Sequence, residues 1–216
     1  MATYESVIKI NGSVGDLVFY SLNGKNVVRK KSGFNKTAFK KNASYEKVRQ
    51  NSSEFGHCSK AGKTIRSCVE RYTKLAGDPL LYQKFAKLMT VIKDLDVISE
   101  RGKRCVQKGL TTPEGLRLLR AFRFGEKENI DPEIFVSEEN ENLILNVMDK
   151  LSVNDEVVIT TIQPNLEHYS SEYFEERLLA EQGKKIHFKK QFSGTHLLLY
   201  FLVIWNKGEI THMGFV

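Results

Sequence analysis

The string Ala61-Gly62-Lys63-Thr64 has the residue types that end a phosphate-binding loop, where backbone amides surround the phosphates and a lysine reaches the outer ones. That chemistry needs a first glycine five residues before Gly62, but position 57 is His57 and Gly56 comes one place too early. No apolar strand precedes the string, which falls inside a helical pattern, so it reads as part of a helix. The five histidines, His57, His168, His187, His196 and His212, stand singly. None has the spacing that sets two metal ligands on one helix face; His187 and His196 could face each other across a hairpin. Glu138-Glu139 and Glu175-Glu176 are adjacent carboxylates, and neighbours on a strand point to opposite faces, so neither pair reads as an acid and its base. No Gly-x-Ser-x-Gly elbow nominates a nucleophile. No catalytic, cofactor-binding or metal-ligating residue is therefore expected, and the chain does not read as an enzyme. A site assembled from scattered residues would need a pocket of convergent polar groups.

What remains is charge. The net +7 divides unevenly: residues 1–110 hold 22 Lys and Arg against 9 Asp and Glu, and residues 111–216 hold 11 against 17. Lys47, Arg49, Lys60, Lys63, Arg66, Arg71 and Lys74 fall on the outer faces of a helical pattern, and Arg101, Lys103 and Arg104 follow in a second basic stretch. These ten form the candidate surface for a protein partner or a polyanion. Phe34, Phe39, Tyr45 and Tyr72 are interleaved with the cations, as they would be where bases stack while Lys and Arg hold phosphates. Against nucleic acid, no helix-turn-helix, C₂H₂ or RNP1 pattern is present. A protein partner or a homo-oligomer is the leading expectation and nucleic acid the alternative. Opposite charge on the two halves would suit heterologous, head-to-tail contact between copies, and attraction within one chain would explain it equally.

These side chains must be positioned by elements the sequence announces. Asn-Gly, the preferred pair for a type I′ hairpin turn, occurs at Asn11-Gly12 and Asn23-Gly24. Runs Glu5 to Ile10, Val14 to Leu22 and Lys25 to Lys30 around them predict a three-stranded meander. Leu17 to Tyr20, apolar on both faces, should be covered on both, and Gly15 should mark a bulge or a close approach. Lys30 to Lys41, with Gly33, Phe34 and Phe39, reads as a basic connector. From Ser44 the period changes: Tyr45, Val48, Ser52, Phe55, Ser59, Gly62, Ile65, Val69 and Tyr72 describe one stripe of a long helix ended by Gly77. Asp78 and Pro79, as N-cap and N1, open a second helix presenting Leu81, Phe85, Leu88, Ile92 and Leu95, which should pair antiparallel with the first. Thr112-Pro113-Glu114 opens a short third helix.

Beyond Gly125 the composition turns acidic and β-branched. Ile130 to Val136, Leu143 to Val147, Glu156 to Ile162, Ile186 to Phe192, His196 to Trp205 and Glu209 to Phe215 read as strands. Ser171 to Gln182 fits helix or strand. The apolar run Leu197 to Trp205 is half the length of a membrane span and reads as a buried strand. Cys58, Cys68 and Cys105 are an odd number at no disulfide or zinc spacing, and read as small buried residues of a reducing compartment. The N-terminus lacks a secretory pattern, so a cytoplasmic location is expected.

Ile10-Asn11-Gly12-Ser13-Val14-Gly15-Asp16-Leu17-Val18-Phe19-Tyr20, the Asn23-Gly24-Lys25 turn and the basic exit Val28-Arg29-Lys30 resemble the opening of a group of uncharacterised bacterial proteins. These begin with a Gly-x-x-Gly-x-x-x-Phe-Tyr hairpin. The similarity extends through Val48-Arg49-Gln50-Asn51 and Glu54-Phe55-Gly56 to Ser99-Glu100-Arg101-Gly102-Lys103-Arg104. The resemblance implies a helical and β-rich protein, with no catalytic residues to carry over. The fold class expected is α+β: an N-terminal β-meander and antiparallel helical hairpin, followed by an antiparallel β-sandwich or barrel. The expected domains are a basic one at 1–124 and an acidic β domain at 125–216.

Overall fold

The computed structural model describes residues 2–6, 8–31, 33, 36–139, 142–147, 151–152, 155–180, 185–194 and 196–216. The chain is α+β and forms two compact units, Met1–Glu46 and Lys47–Val216. The composition shift near Gly125 falls inside the second unit.

In the first unit, strands β1 (Ala2–Thr3), β2 (Gly12–Val14), β3 (Leu17–Leu22) and β4 (Lys25–Lys30) form an antiparallel sheet in the order β1-β4-β3-β2. Asn23 and Gly24 both take positive φ, at 51° and 77°, as the type I′ turn between β3 and β4 requires. The other Asn-Gly pair is not a turn, and none of the described residues of Glu5 to Ile10 is in a strand. The β2–β3 loop is Gly15-Asp16, with Gly15 at φ 55° and nothing within 4 Å of a Cβ placed there, so Gly15 serves the turn and not a close approach. A two-residue loop needs positive φ at a defined place, and Gly15 supplies it closer to the apolar run than Gly12 does. The added strand is β1, which pairs Ala2 with Val28 and Thr3 with Val27. The connector contains a short helix, α1 (Lys36–Lys41), followed by a 3₁₀ turn at Ala43–Tyr45. Phe34 lies outside the described residues.

Val27 is the one buried residue among those described in this unit. Leu17 to Tyr20 is not covered on both faces: Leu17 is exposed and Val18, Phe19 and Tyr20 are half-buried. The sheet is held instead by its ladder and by edge contacts such as Tyr4 against Phe19, whose ring centroids lie 5.7 Å apart.

In the second unit the long helix divides. α2 (Glu46–Ser67) ends in a turn at Cys68 and Val69, and α3 (Glu70–Leu75) follows. Ser67 Oγ donates to the Thr64 carbonyl at 2.7 Å and so competes for the acceptor the next helical turn would use. Gly77 at φ 69° closes α3, as the C-cap expectation required. α4 (Leu81–Asp94) starts later than Asp78, because the Asp78 carboxylate accepts from Leu80 N–H at 2.9 Å and closes a local turn first.

α2 and α4 pair antiparallel, with contacts stepping by four along both: Glu54 to Lys93, Cys58 to the Met89 carbonyl, Gly62 to Met89 and Phe85. A Cβ on Gly62 would lie 3.1 Å from Met89 Cγ, which explains the small residue and removes Lys63-Thr64 from any phosphate loop. The buried stripe is Glu54, Cys58, Ala61, Gly62, Ile65, Val69 and Tyr72, while Val48 and Phe55, expected inside, are exposed. A carboxylate, not a phenyl ring, anchors this part of the inner face.

α5 (Val106–Leu110) and α6 (Pro113–Arg120) complete the helical layer. Thr112 Oγ1 accepts from Gly115 N–H at 3.0 Å and Pro113 stands in the first turn, as Thr112-Pro113-Glu114 predicts. Strands β7 (Glu156–Asn165), β8 (Ser170–Leu179), β10 (Leu199–Asn206) and β11 (Glu209–Phe215) make an antiparallel sheet in the order β11-β10-β7-β8. Strands β5 (Phe135–Glu139), β6 (Asn142–Asn146) and β9 (Lys185–Phe188) make a second, in the order β5-β6-β9. Ser171 to Leu179 is therefore strand; Glu181 and Gln182 lie outside the described residues.

Alternation along β10 explains its unbroken apolar run. Leu199, Phe201 and Val203 join Ile65, Tyr72, Phe85 and Phe124 on the helical side, and Leu202 and Ile204 join Leu143, Leu145 and Phe188 on the side of the smaller sheet. The four-stranded sheet is the middle layer, and neither sheet closes into a barrel. Gly125 sits at φ 66°, and a Cβ there would fall 2.0 Å from the Ala76 carbonyl oxygen, so that loop packs directly onto the end of α3.

Candidate functional site

The two motif segments of α2 and the 99–104 loop meet. Glu54, 3% exposed, accepts from Arg104 Nε and Nη2 at 2.9 and 2.7 Å, from Lys93 Nζ at 2.7 Å and from Gly102 N–H at 2.6 Å. The Arg104 guanidinium holds the Glu54 carboxyl far below the usual carboxylate range against the opposing effect of burial, with Lys93 adding to it. Asp94 bridges the same two cations, 2.6 Å from Lys93 and 2.8 Å from Arg104. Beside them Arg101 Nη2 donates to Asn51 Oδ1 at 2.9 Å, and Lys103 pairs with Glu100 at 2.9 Å. Asp96 accepts from the amides of Ile98, Ser99 and Cys105, all at 3.0 to 3.2 Å. The loop between α4 and α5 is thus clamped, and Arg104 is committed inside the protein.

The other candidates divide by their partners. Arg71 is turned toward β8, where it pairs with Glu175 and Tyr72 Oη. Lys60 Nζ lies 4.9 Å from the centre of the Tyr169 ring. Lys47 is exposed at the start of α2, and Arg49, two residues on, is half-buried. Lys63, Arg66 and Lys74 are brought together, lining a cleft of about 860 Å³ between the end of α2, α3 and the turn into α4. Glu70 also lines it but is paired with Lys74 at 3.1 Å, and Asp78 with Lys84 at 2.7 Å.

Sequence reasoning missed a second cavity, about 480 Å³, lined in part by His57, Cys105, Lys108, Glu167 and Tyr169. His57 Nε2 accepts from Val106 N–H at 3.0 Å, which places the ring proton on Nδ1, where it donates to Tyr169 Oη at 3.0 Å. Burial, with Lys60 adding to it, lowers the His57 pKa, so the ring is neutral with both nitrogens committed. It offers no free base to the half-buried Cys105 thiol. Cys58 and Cys68 are buried, and burial pushes both thiols up. His187 lies in β9 opposite Ile144 and His196 precedes β10, in a different sheet, so the two do not share a hairpin. No local signal joins His57 to Tyr169, which is 112 residues away.

The chain matches no protein-family model, no curated protein and no solved structure.

Proposed function

We propose that the protein is a non-catalytic assembly protein whose basic N-terminal sheet docks on a second copy of the chain. One observation carries this: the sheet of β1 to β4 buries only Val27 among the described residues while Val14 stays 63% exposed, Leu22 49% and Leu17 42%. A unit of 46 residues with so little buried surface gains almost nothing from the hydrophobic effect on its own. Residues 1–46 carry eight Lys and Arg against three Asp and Glu, and residues 111–216 of a second copy are acidic and supply the complementary charge. Such a contact joins different surfaces and builds rings or filaments.

Light scattering with the 260-to-280 nm absorbance ratio, in low and then high salt, tests it. A multimeric mass that persists in high salt, with a clean protein spectrum, is expected, because apolar contact does not screen. The double variant Val14→Asp, Leu17→Asp should then run as a monomer. A wild-type monomer in both buffers sinks the proposal; a nucleic-acid signature that salt strips away replaces it with polyanion binding by the basic surface.

A further inference from the structure

Arg66 stands apart from the other described cations of the second unit. Its Nε is buried with no hydrogen-bond partner, and its guanidinium lies 5.8 Å from the centre of the Phe85 ring. No carboxylate among the described residues pairs with it. Arg66 is half-buried, and desolvating part of a guanidinium without a counter-ion is unfavourable, which stacking on an aromatic face offsets only in part. Lys63, three residues earlier on the same face of α2, is exposed and likewise without an acid partner among the described residues. The two acids at the cleft, Glu70 and Asp78, are already neutralised by Lys74 and Lys84. The cleft therefore keeps two uncompensated positive charges within one helical turn, and its far wall is Pro79, Leu81 and Tyr82.

We propose that this cleft binds a phosphate-bearing small molecule of nucleotide size, with its phosphate on Arg66 and Lys63 and its organic body against Tyr82 and Pro79. Three features select that ligand. A phosphate monoester carries close to two negative charges at neutral pH, matching the two free cations. A guanidinium donates two parallel hydrogen bonds to phosphate oxygens, which an exposed lysine alone cannot do. The volume of about 860 Å³ is in the range of small-molecule sites and far exceeds what an inorganic ion fills. The site is independent of the assembly proposed above, since neither Arg66 nor Lys63 belongs to the N-terminal sheet.

Isothermal titration of the full chain with adenosine 5′-monophosphate, adenosine and inorganic phosphate tests this. The nucleotide should bind saturably at one site and more weakly as salt rises, inorganic phosphate should bind less tightly, and adenosine should not bind. Arg66→Gln should cost about tenfold or more in affinity, the loss expected for charge-assisted hydrogen bonds. Lys63→Gln, at an exposed position, should cost a smaller factor with unchanged circular dichroism, and Tyr82→Ala should weaken the nucleotide but not inorganic phosphate. If Arg66→Gln fails to fold, those two variants decide. Absence of nucleotide binding, equal binding of adenosine, or wild-type affinity in Lys63→Gln and Tyr82→Ala together would overturn the proposal.

Discussion

The two compact units answer the same physical problem in opposite ways. The second covers both faces of its central sheet, with helices on one side and three strands on the other, and it buries even an ion pair, Glu54 with Lys93. The first has a ladder of hydrogen bonds, two turns with correct glycines and almost no interior. Turn chemistry and strand pairing suffice to define a register. Burial is what gives a register its margin of stability. A small sheet of this kind is stable in proportion to what covers it.

The sharpest way to break the contrast is at Glu54. Glu54→Gln removes one of the two carboxylates that Lys93, 5% exposed, and Arg104 share, leaves them only Asp94, and should cost about 2–3 kcal/mol, the loss of charge-assisted hydrogen bonds at a buried site. Trp205, the single tryptophan, lies in β10, so a urea titration followed by its fluorescence reads the second unit alone. A loss under 1 kcal/mol would show that the cluster is not a structural anchor.

Acid should act next. Burial pushes the Asp96 carboxyl up, but the amides of Ser99 and Cys105 outweigh this and hold it at about 2. A folded pKa below the unfolded one stabilises above the unfolded value, here about pH 4, and that contribution of about 2 kcal/mol disappears as the pH falls toward 2. Asp96→Asn should flatten this part of the stability curve between pH 4 and 2, measured by the same fluorescence midpoint.

A smaller effect tests whether the second unit unfolds as one block. Thr112→Ala removes the N-cap of α6 and should cost about 1 kcal/mol. Fluorescence at Trp205 and far-ultraviolet circular dichroism at a helical wavelength should shift together. Separate shifts would mean that the helical layer melts apart from the sheet.

The smallest effect on stability belongs to the first unit. Leu17→Asp places a charge where the wild-type side chain is already 42% exposed, so the Trp205 midpoint should stay within about 0.5 kcal/mol of wild type while the multimeric mass collapses. A large destabilisation of the second unit would erase the distinction between the two.

Much of the fold was legible because it follows from local chemistry. Asn23-Gly24 and Thr112-Pro113 act where they stand, since a turn of two positive φ values and a helix start need no distant partner. The α2–α4 hairpin was legible from small and apolar residues at helical spacing. Asn11-Gly12 misled because a second glycine, Gly15, was near enough to take the turn, and local preference alone does not choose between two competent loops. The inner face of α2 was read one residue off: Phe55 is the more apolar choice, but Glu54 is buried by cations 39 and 50 residues away. Of the ten candidate cations, their charge was visible and their partners were not.

The sequence by itself determined the α+β class, the double apolarity of β10, the uneven charge and the turn and cap residues, because each depends on composition or on spacing within a few residues. Only the tertiary structure decided that Arg104 is spent on Glu54 and Arg71 on Glu175, while Lys63 and Arg66 share a cleft whose two acids are paired with other lysines. The reason is physical. Whether a charge is neutralised depends on what lies within a few ångströms, and for these side chains the nearest opposite charge, or its absence, is set by packing between elements far apart in the chain.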